Sequence, residues 1–174
     1  DFGLIGPLYA HLYRDPYPGR LMRSVAPNVA AWVERMMSPE PLLQCGECLH
    51  DDVIPMTLEP IIARFAREQW PVLKATNEAL TEWAKTNSQA QVPRTIGKHS
   101  FVIEGVESQR IVLPYSLWML QEVLSHPESK DLASDSHFVQ WLDKHGLADI
   151  LDFQVNTPMQ RINNLLYVKY STEN

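Results

Sequence analysis

The stretch Pro27-Asn28-Val29-Ala30-Ala31-Trp32-Val33-Glu34-Arg35-Met36 decides the fold class. Val29, Trp32, Val33 and Met36 fall at i, i+3, i+4 and i+7, the spacing that lines one face of an α-helix. The proline stands in the first turn, where its missing N–H forfeits no intrahelical bond. The spacing predicts a helix from about Pro27 to Met37, with Trp32 as its structural anchor. On the N-terminal side Phe2, Ile5, Tyr9 and Leu12 make a second helical stripe. Asp1 opens that stripe and is read as structural: its carboxylate can accept a bond from an amide of the first turn and meets the positive end of the helix dipole. Between the stripes, Arg14-Asp15-Pro16-Tyr17-Pro18-Gly19 reads as a break, since two prolines and a glycine do not continue a helix. The chain opens on Asp1 with no initiator methionine and reads as cut from something longer.

Working toward the C terminus, Ser38-Pro39-Glu40-Pro41 ends the helix and a long loop follows to about Met56, holding both cysteines, Cys45 and Cys48. Thr57-Leu58-Glu59-Pro60 reads as an N-cap and first turn. Leu58, Ile61, Ile62, Phe65, Val72, Leu73, Leu80 and Trp83 then mark a long amphipathic helix to about Lys85. Pro71 lacks an amide donor and its ring crowds the carbonyl of Arg67, so the helix is bent or split there. After a polar linker from Thr86 to Gln91 the period changes to two. Phe101-Val102-Ile103, Glu104-Gly105-Val106-Glu107 and Arg110-Ile111-Val112-Leu113 read as a hairpin around a glycine-containing turn. A helix restarts at Pro114 and carries Leu117, Trp118, Leu120, Val123 and Leu124 on its apolar side. Another, capped by Ser134 or Asp135, carries Phe138, Trp141 and Leu142 and stops at Gly146. The tail from Ile162 to Tyr170 alternates poorly and fits a final strand or a helix.

The 174 residues carry 15 Lys plus Arg against 21 Asp plus Glu, a net charge of −6, which argues against sequence-independent binding to nucleic acid. At 45% hydrophobic residues the chain has the composition of a globular protein, and prolines and charges interrupt every apolar run short of a bilayer span. Two cysteines make no disulfide framework, which suits a reducing, cytoplasmic compartment.

Few motifs carry chemistry. Cys45-Gly46-Glu47-Cys48 lacks the strand and helix start of a redox site, and Leu49 stands where haem attachment needs a histidine. As a zinc half-site it lacks a second cysteine pair, and no metal is expected. His11, His50, His99, His126, His137 and His145 are scattered, with none at i, i+4 from another around a carboxylate, and read as surface or partly buried neutral side chains. His11, at the end of the first helix, reads as helix-end packing rather than the lining of an acceptor-substrate pocket. Asp51-Asp52 beside His50 make an acidic trio able to attract a cation, and a solvated loop accounts for them equally well. Trp70, Trp83, Trp118 and Trp141 sit at helical spacing among aliphatic neighbours and read as core rather than as a ligand cavity.

Asp1-Phe2-Gly3-Leu4-Ile5-Gly6-Pro7-Leu8-Tyr9-Ala10-His11-Leu12-Tyr13-Arg14-Asp15 and Ala26 to Met36 resemble the late helices of the C-terminal domain of bacterial-type glutathione S-transferase-like proteins. Ile96 to Phe101 and Leu113 to Gln121 are similar to the C-terminal extension of one branch of them. The resemblance implies a mostly α fold, a helical bundle with a small β-hairpin in the extension. Residues 1–40 would be distal helices of that domain, 41–56 a linker loop and 57–174 a helical extension with the hairpin near 99–113. Asp1 would be the acidic end of a Ser/Thr-x-x-Asp capping motif whose first member lies upstream. The thioredoxin-like domain that binds glutathione and supplies the activating Tyr, Ser or Cys is not in these residues, so no catalytic residue and no cofactor is assigned to them. The partners implied are that thioredoxin-like domain or a partner chain, and a second copy as a homodimer, with neither nucleic acid nor membrane. The function implied is a portion of a glutathione-dependent transferase; the alternative is a non-catalytic protein-interaction or scaffold module on the same helices.

Overall fold

The computed structural model describes residues 2–39, 49–50, 53–87 and 91–169. Asp1, Cys45, Cys48, Asp51 and Asp52 lie outside the described residues. The chain divides into two compact units, Asp1–Val53 and Ile54–Asn174. The described residues are mostly helical, as the sequence led one to expect, and carry two small antiparallel sheets where one hairpin was expected. Among the described residues no helix is long and apolar enough to cross a membrane.

The first unit is helical. Helix α1 (Phe2–Pro7) runs into wider π-helical turns over Leu8–Tyr13, directly after Pro7 has withdrawn one donor from the ladder. The expected break is confined to Arg14 and Asp15, because Pro16 already opens helix α2 (Pro16–Val25). Pro16, Pro18 and Gly19 do not break a helix but fall within the first four residues of one, with the prolines where no intrahelical N–H bond is required. Helix α3 (Pro27–Met36) follows after one residue. Met22, Ala30 and Val33 form the buried cluster, with Ile5, Leu8, Tyr9, Tyr13 and Trp32 packed around it. Val33 is fully buried, whereas Trp32 lies partly buried at the cluster's margin. Gly19 permits the close crossing of α2 over the preceding turn: a Cβ there would sit 2.3 Å from the Tyr13 carbonyl oxygen. The Tyr13 hydroxyl donates to the Glu34 carboxylate, and the Arg23 guanidinium lies 4.1 Å over the Tyr13 ring.

The second unit begins with helix α4 (Glu59–Arg64), whose N-cap position is Leu58 rather than Thr57 and is filled without a side-chain bond. Π-helical turns over Phe65–Gln69 lead into α5 (Trp70–Thr86). The long helix thus stays helical throughout but widens to π turns just before Trp70-Pro71, where Pro71 takes a first-turn position in α5 and its missing donor interrupts no α-helical bond. The β2 strand (Lys98–Ile103) and β3 (Val106–Ile111) pair antiparallel as the expected hairpin. Its two turn residues, Glu104 and Gly105, both have positive φ, at 51° and 80°, the geometry that matches strand twist across a two-residue turn.

Helix α6 (Pro114–Ser125) leads through α7 (Pro127–Leu132) to α8 (Ser136–Lys144). Asp135 caps α8 by accepting from the His137 and Phe138 amides. At the other end Gly146, at φ 74°, lets the Leu147 amide reach the Leu142 carbonyl at 2.9 Å and its own amide reach Asp143 at 3.0 Å. The tail is strand: β4 (Met159–Ile162) and β5 (Leu165–Val168) form a second hairpin around Asn163-Asn164, and β5 also pairs with β1 (Gln91–Val92), carved from the end of the expected linker. Gln121 of α6 fastens β4 as another strand would, donating to the Met159 carbonyl and accepting from its amide, both at 2.8 Å.

Two buried clusters hold this unit. Leu80, Val92, Leu117, Met159, Leu166 and Val168 join α5, α6 and the three-stranded sheet. Trp70, Leu73, Leu142 and Leu147 join α5 to α8 and the chain beyond it, and Leu120 and Phe153 pack against both clusters. Leu80 and Leu117 are fully buried, and each contributes about 1.5–3 kcal/mol by leaving water.

Candidate functional site

A groove of about 480 Å³ lies where α4 and its π-helical continuation meet the β2–β3 hairpin. The helical side brings Pro60, Ile61, Phe65 and Gln69, and the hairpin brings Phe101, Ile103 and Arg110. A charged tether sets the distance between the two walls. Arg64 and Glu68, one helical turn apart, pair at 2.9 Å through Arg64 Nε. The same guanidinium donates to the Glu104 carboxylate in the hairpin turn, and the Glu104 amide donates to Glu68 Oε1 at 3.3 Å. Arg67 Nη2 lies 3.6 Å from that oxygen. The Glu68 side chain is only 12% exposed, while Arg64 and Glu104 reach out to water. The bond from Arg64 holds the Glu68 carboxyl below the usual carboxylate range against the opposing pull of burial. Its two carboxylate partners in turn raise the Arg64 pKa.

Farther along the hairpin, His99 stands directly across from Arg110. Both His99 ring nitrogens are buried without a hydrogen-bond partner among the described residues. Burial, and then the Arg110 charge, push the imidazole below its ordinary pKa and so favour the neutral ring beside the guanidinium. Arg110 lies 5.8 Å over the Phe101 ring and has no carboxylate within ion-pair distance among the described residues. The arrangement offers one uncompensated cation, an apolar floor and hydrogen-bonding capacity. It places no nucleophile beside a base.

The structure does not gather the other residues singled out in the sequence. His11 and His50 are exposed. His126 and His137 are also exposed, 3.9 Å from Glu128 and 3.7 Å from Asp135. His145 is buried against Trp141, with Nδ1 2.7 Å from the Trp141 carbonyl and Nε2 3.9 Å from Glu59, a contact that joins α8 to α4. Among the described residues no three His, Cys, Asp or Glu side chains are grouped to hold a metal ion. The tryptophans of this unit are packing residues. Trp70 lies edge-on to Phe153 at 4.8 Å and donates Nε1 to Asp149 at 2.8 Å; Trp83 and Trp118 pack on one cluster and Trp141 on the other. Burial pushes the Asp149 carboxyl up, but the bonds from Lys74 and Trp70 outweigh it and leave its pKa lowered.

Sequence reasoning missed the groove. Arg64 and Glu68 were recognisable as an i, i+4 pair, but nothing local links them to Glu104, and His99 differs from the other histidines only through its cross-strand neighbour. No family model, no curated protein and no solved structure matches the chain.

Proposed function

We propose that this chain is the distal helical part of a glutathione S-transferase-like protein, contributing to a glutathione-dependent transferase whose thiol-binding domain lies outside these residues. The observation that carries the reading is the surface of the first unit. Its helices bury Met22, Ala30 and Val33 but leave Leu4, Leu12, Leu21, Val25 and Val29 exposed, Val25 by 70%. Apolar side chains in that number on so small a unit suit the edge of a larger bundle, which the resemblance of Asp1 to Met36 supplies with earlier helices. Thiol activation needs a donor or cation placed beside the sulfur, and that chemistry is assigned to the thioredoxin-like partner, with glutathione its cofactor. The chain's own contribution is scaffold, in a cytoplasmic protein that pairs with a second copy. A non-catalytic interaction module is the second reading, favoured by the exposed Val102, Ile103, Val106 and Ile111 of the hairpin.

Hydrogen exchange tests the proposal. The chain is compared with the same chain lengthened by whatever residues its gene encodes before Asp1. Amides of α1 and α2 are expected to gain protection in the longer protein, and the added residues to show a thioredoxin-like pattern. Unchanged protection, or an upstream sequence without that pattern, overturns the reading.

A further inference from the structure

We propose that the groove between α4 and the β2–β3 hairpin binds a small monocarboxylate with a flat apolar body, its carboxylate on Arg110 and its body on Phe65, Phe101 and Ile103. The argument starts from charge. Two arginines line the groove: Arg64 is held by Glu68 and Glu104, which leaves Arg110 without a carboxylate among the described residues. The residue directly across the hairpin is His99, whose imidazole carries no negative charge to answer it. A guanidinium presents paired donors matched to the two oxygens of a carboxylate, and bonds between charged groups are the stronger class. The same guanidinium already rests on the Phe101 face, so a ligand's carboxylate at Arg110 places its body along that ring.

The rest of the lining selects the body and the number of charges. Pro60, Ile61, Phe65, Phe101 and Ile103 supply an apolar wall, and about 480 Å³ is the scale of a small-molecule site. Glu68 lines the same groove and Glu104 pairs with the lining Arg64, so a second negative charge on the ligand meets an already neutralised guanidinium and its carboxylates instead of a free cation. A dianion or a phosphate is therefore disfavoured relative to a monoanion. The two unpartnered His99 nitrogens lie beside the anchoring cation, where a bound carboxylate stabilises the protonated ring.

The probe is 1-naphthoate, titrated into the intact chain by calorimetry, with 1-naphthalenemethanol as the neutral analogue and 2,6-naphthalenedicarboxylate as the dianion. Saturable one-to-one binding of naphthoate is expected, with both analogues and the Arg110→Gln variant weaker by about ten-fold or more. Arg161→Gln, a cation on another face, should leave the affinity unchanged. In the unsubstituted chain, NMR titration of the His99 ring should show its pKa rising when naphthoate is bound. No saturable binding, equal binding of the alcohol, binding indifferent to Arg110→Gln, or an unmoved His99 titration each overturns the proposal.

Discussion

Gly19→Ala should destabilise the first unit, although the same change usually strengthens a helix. Alanine gains about 0.5–1 kcal/mol over glycine in a helix interior, because glycine loses more backbone freedom on folding. At Gly19 the added Cβ would stand 2.3 Å from the Tyr13 carbonyl oxygen, more than an ångström inside ordinary contact, and 3.1 Å from Arg23 Nη1. The arginine end can swing away, at the loss of its seat over the Tyr13 ring. The carbonyl belongs to the backbone, so α2 must move off and loosen Met22 from Val33. Forced repacking of this kind costs about 1–3 kcal/mol, and against a backbone carbonyl the upper part of that range applies, leaving a net destabilisation of up to about 2.5 kcal/mol. Gly3→Ala is the matched control, since a Cβ there meets nothing within 4 Å and should stabilise by up to about 1 kcal/mol. Urea unfolding followed by fluorine NMR of 5-fluorotryptophan at Trp32 reports this unit alone, Trp32 being its one tryptophan. If Gly19→Ala stabilised as much as Gly3→Ala, the close crossing of α2 over Tyr13 would be refuted.

Trp70→Ala should cost about 3–5 kcal/mol and Trp32→Ala clearly less, about 1–3 kcal/mol, because Trp70 is 2% exposed and bonded to Asp149 while Trp32 lies at its cluster's margin; denaturant midpoints decide the order. His99 titrates below its unfolded value of about 6.5, so the unfolded chain binds the extra proton. Stability from the neutral ring is then complete above about pH 6.5 and lost as pH falls through the native pKa, and His99→Leu should flatten that stretch of a stability-against-pH curve. Glu68 is also depressed, so its tether is intact above about pH 4.3 and loosens as pH falls through the native value, seen as faster exchange of the Glu104 amide. Elemental analysis of protein purified without added metal should find no stoichiometric zinc, and Cys45→Ser should leave the melting temperature unchanged.

Local chemistry made much of the fold legible. Helix α3, the Asp135 cap and Gly146 stop of α8, and an irregularity at Pro71 each depend on residues within a turn or two of one another, so their spacing was enough. The β2–β3 hairpin was legible for the same reason, its turn being written as Glu104-Gly105. Helix α2 was hidden because proline is a breaker inside a helix and a starter in its first turn, and the sequence pattern alone weighed it as the former. The second sheet was hidden by distance: Gln91 pairs with Tyr167, and only the completed sheet buries Val92, Leu166 and Val168 together. Asn163-Asn164 was the available clue, since both take the positive φ that a tight hairpin demands. At the groove, the helical ion pair could be read from spacing, whereas the isolation of Arg110 and the orphaned ring of His99 depend on which residues face each other across the hairpin.

Glutathione conjugation tests the proposed function most directly. The purified chain and its N-terminally lengthened form are each assayed with glutathione and a generic aryl halide, with the uncatalysed rate subtracted. The account predicts turnover in the lengthened protein and none in the chain alone, whose described residues place no nucleophile, base or cation beside a thiol site. Turnover by the chain alone that survives further purification would contradict it, as would a folded, lengthened protein that neither binds glutathione nor turns it over.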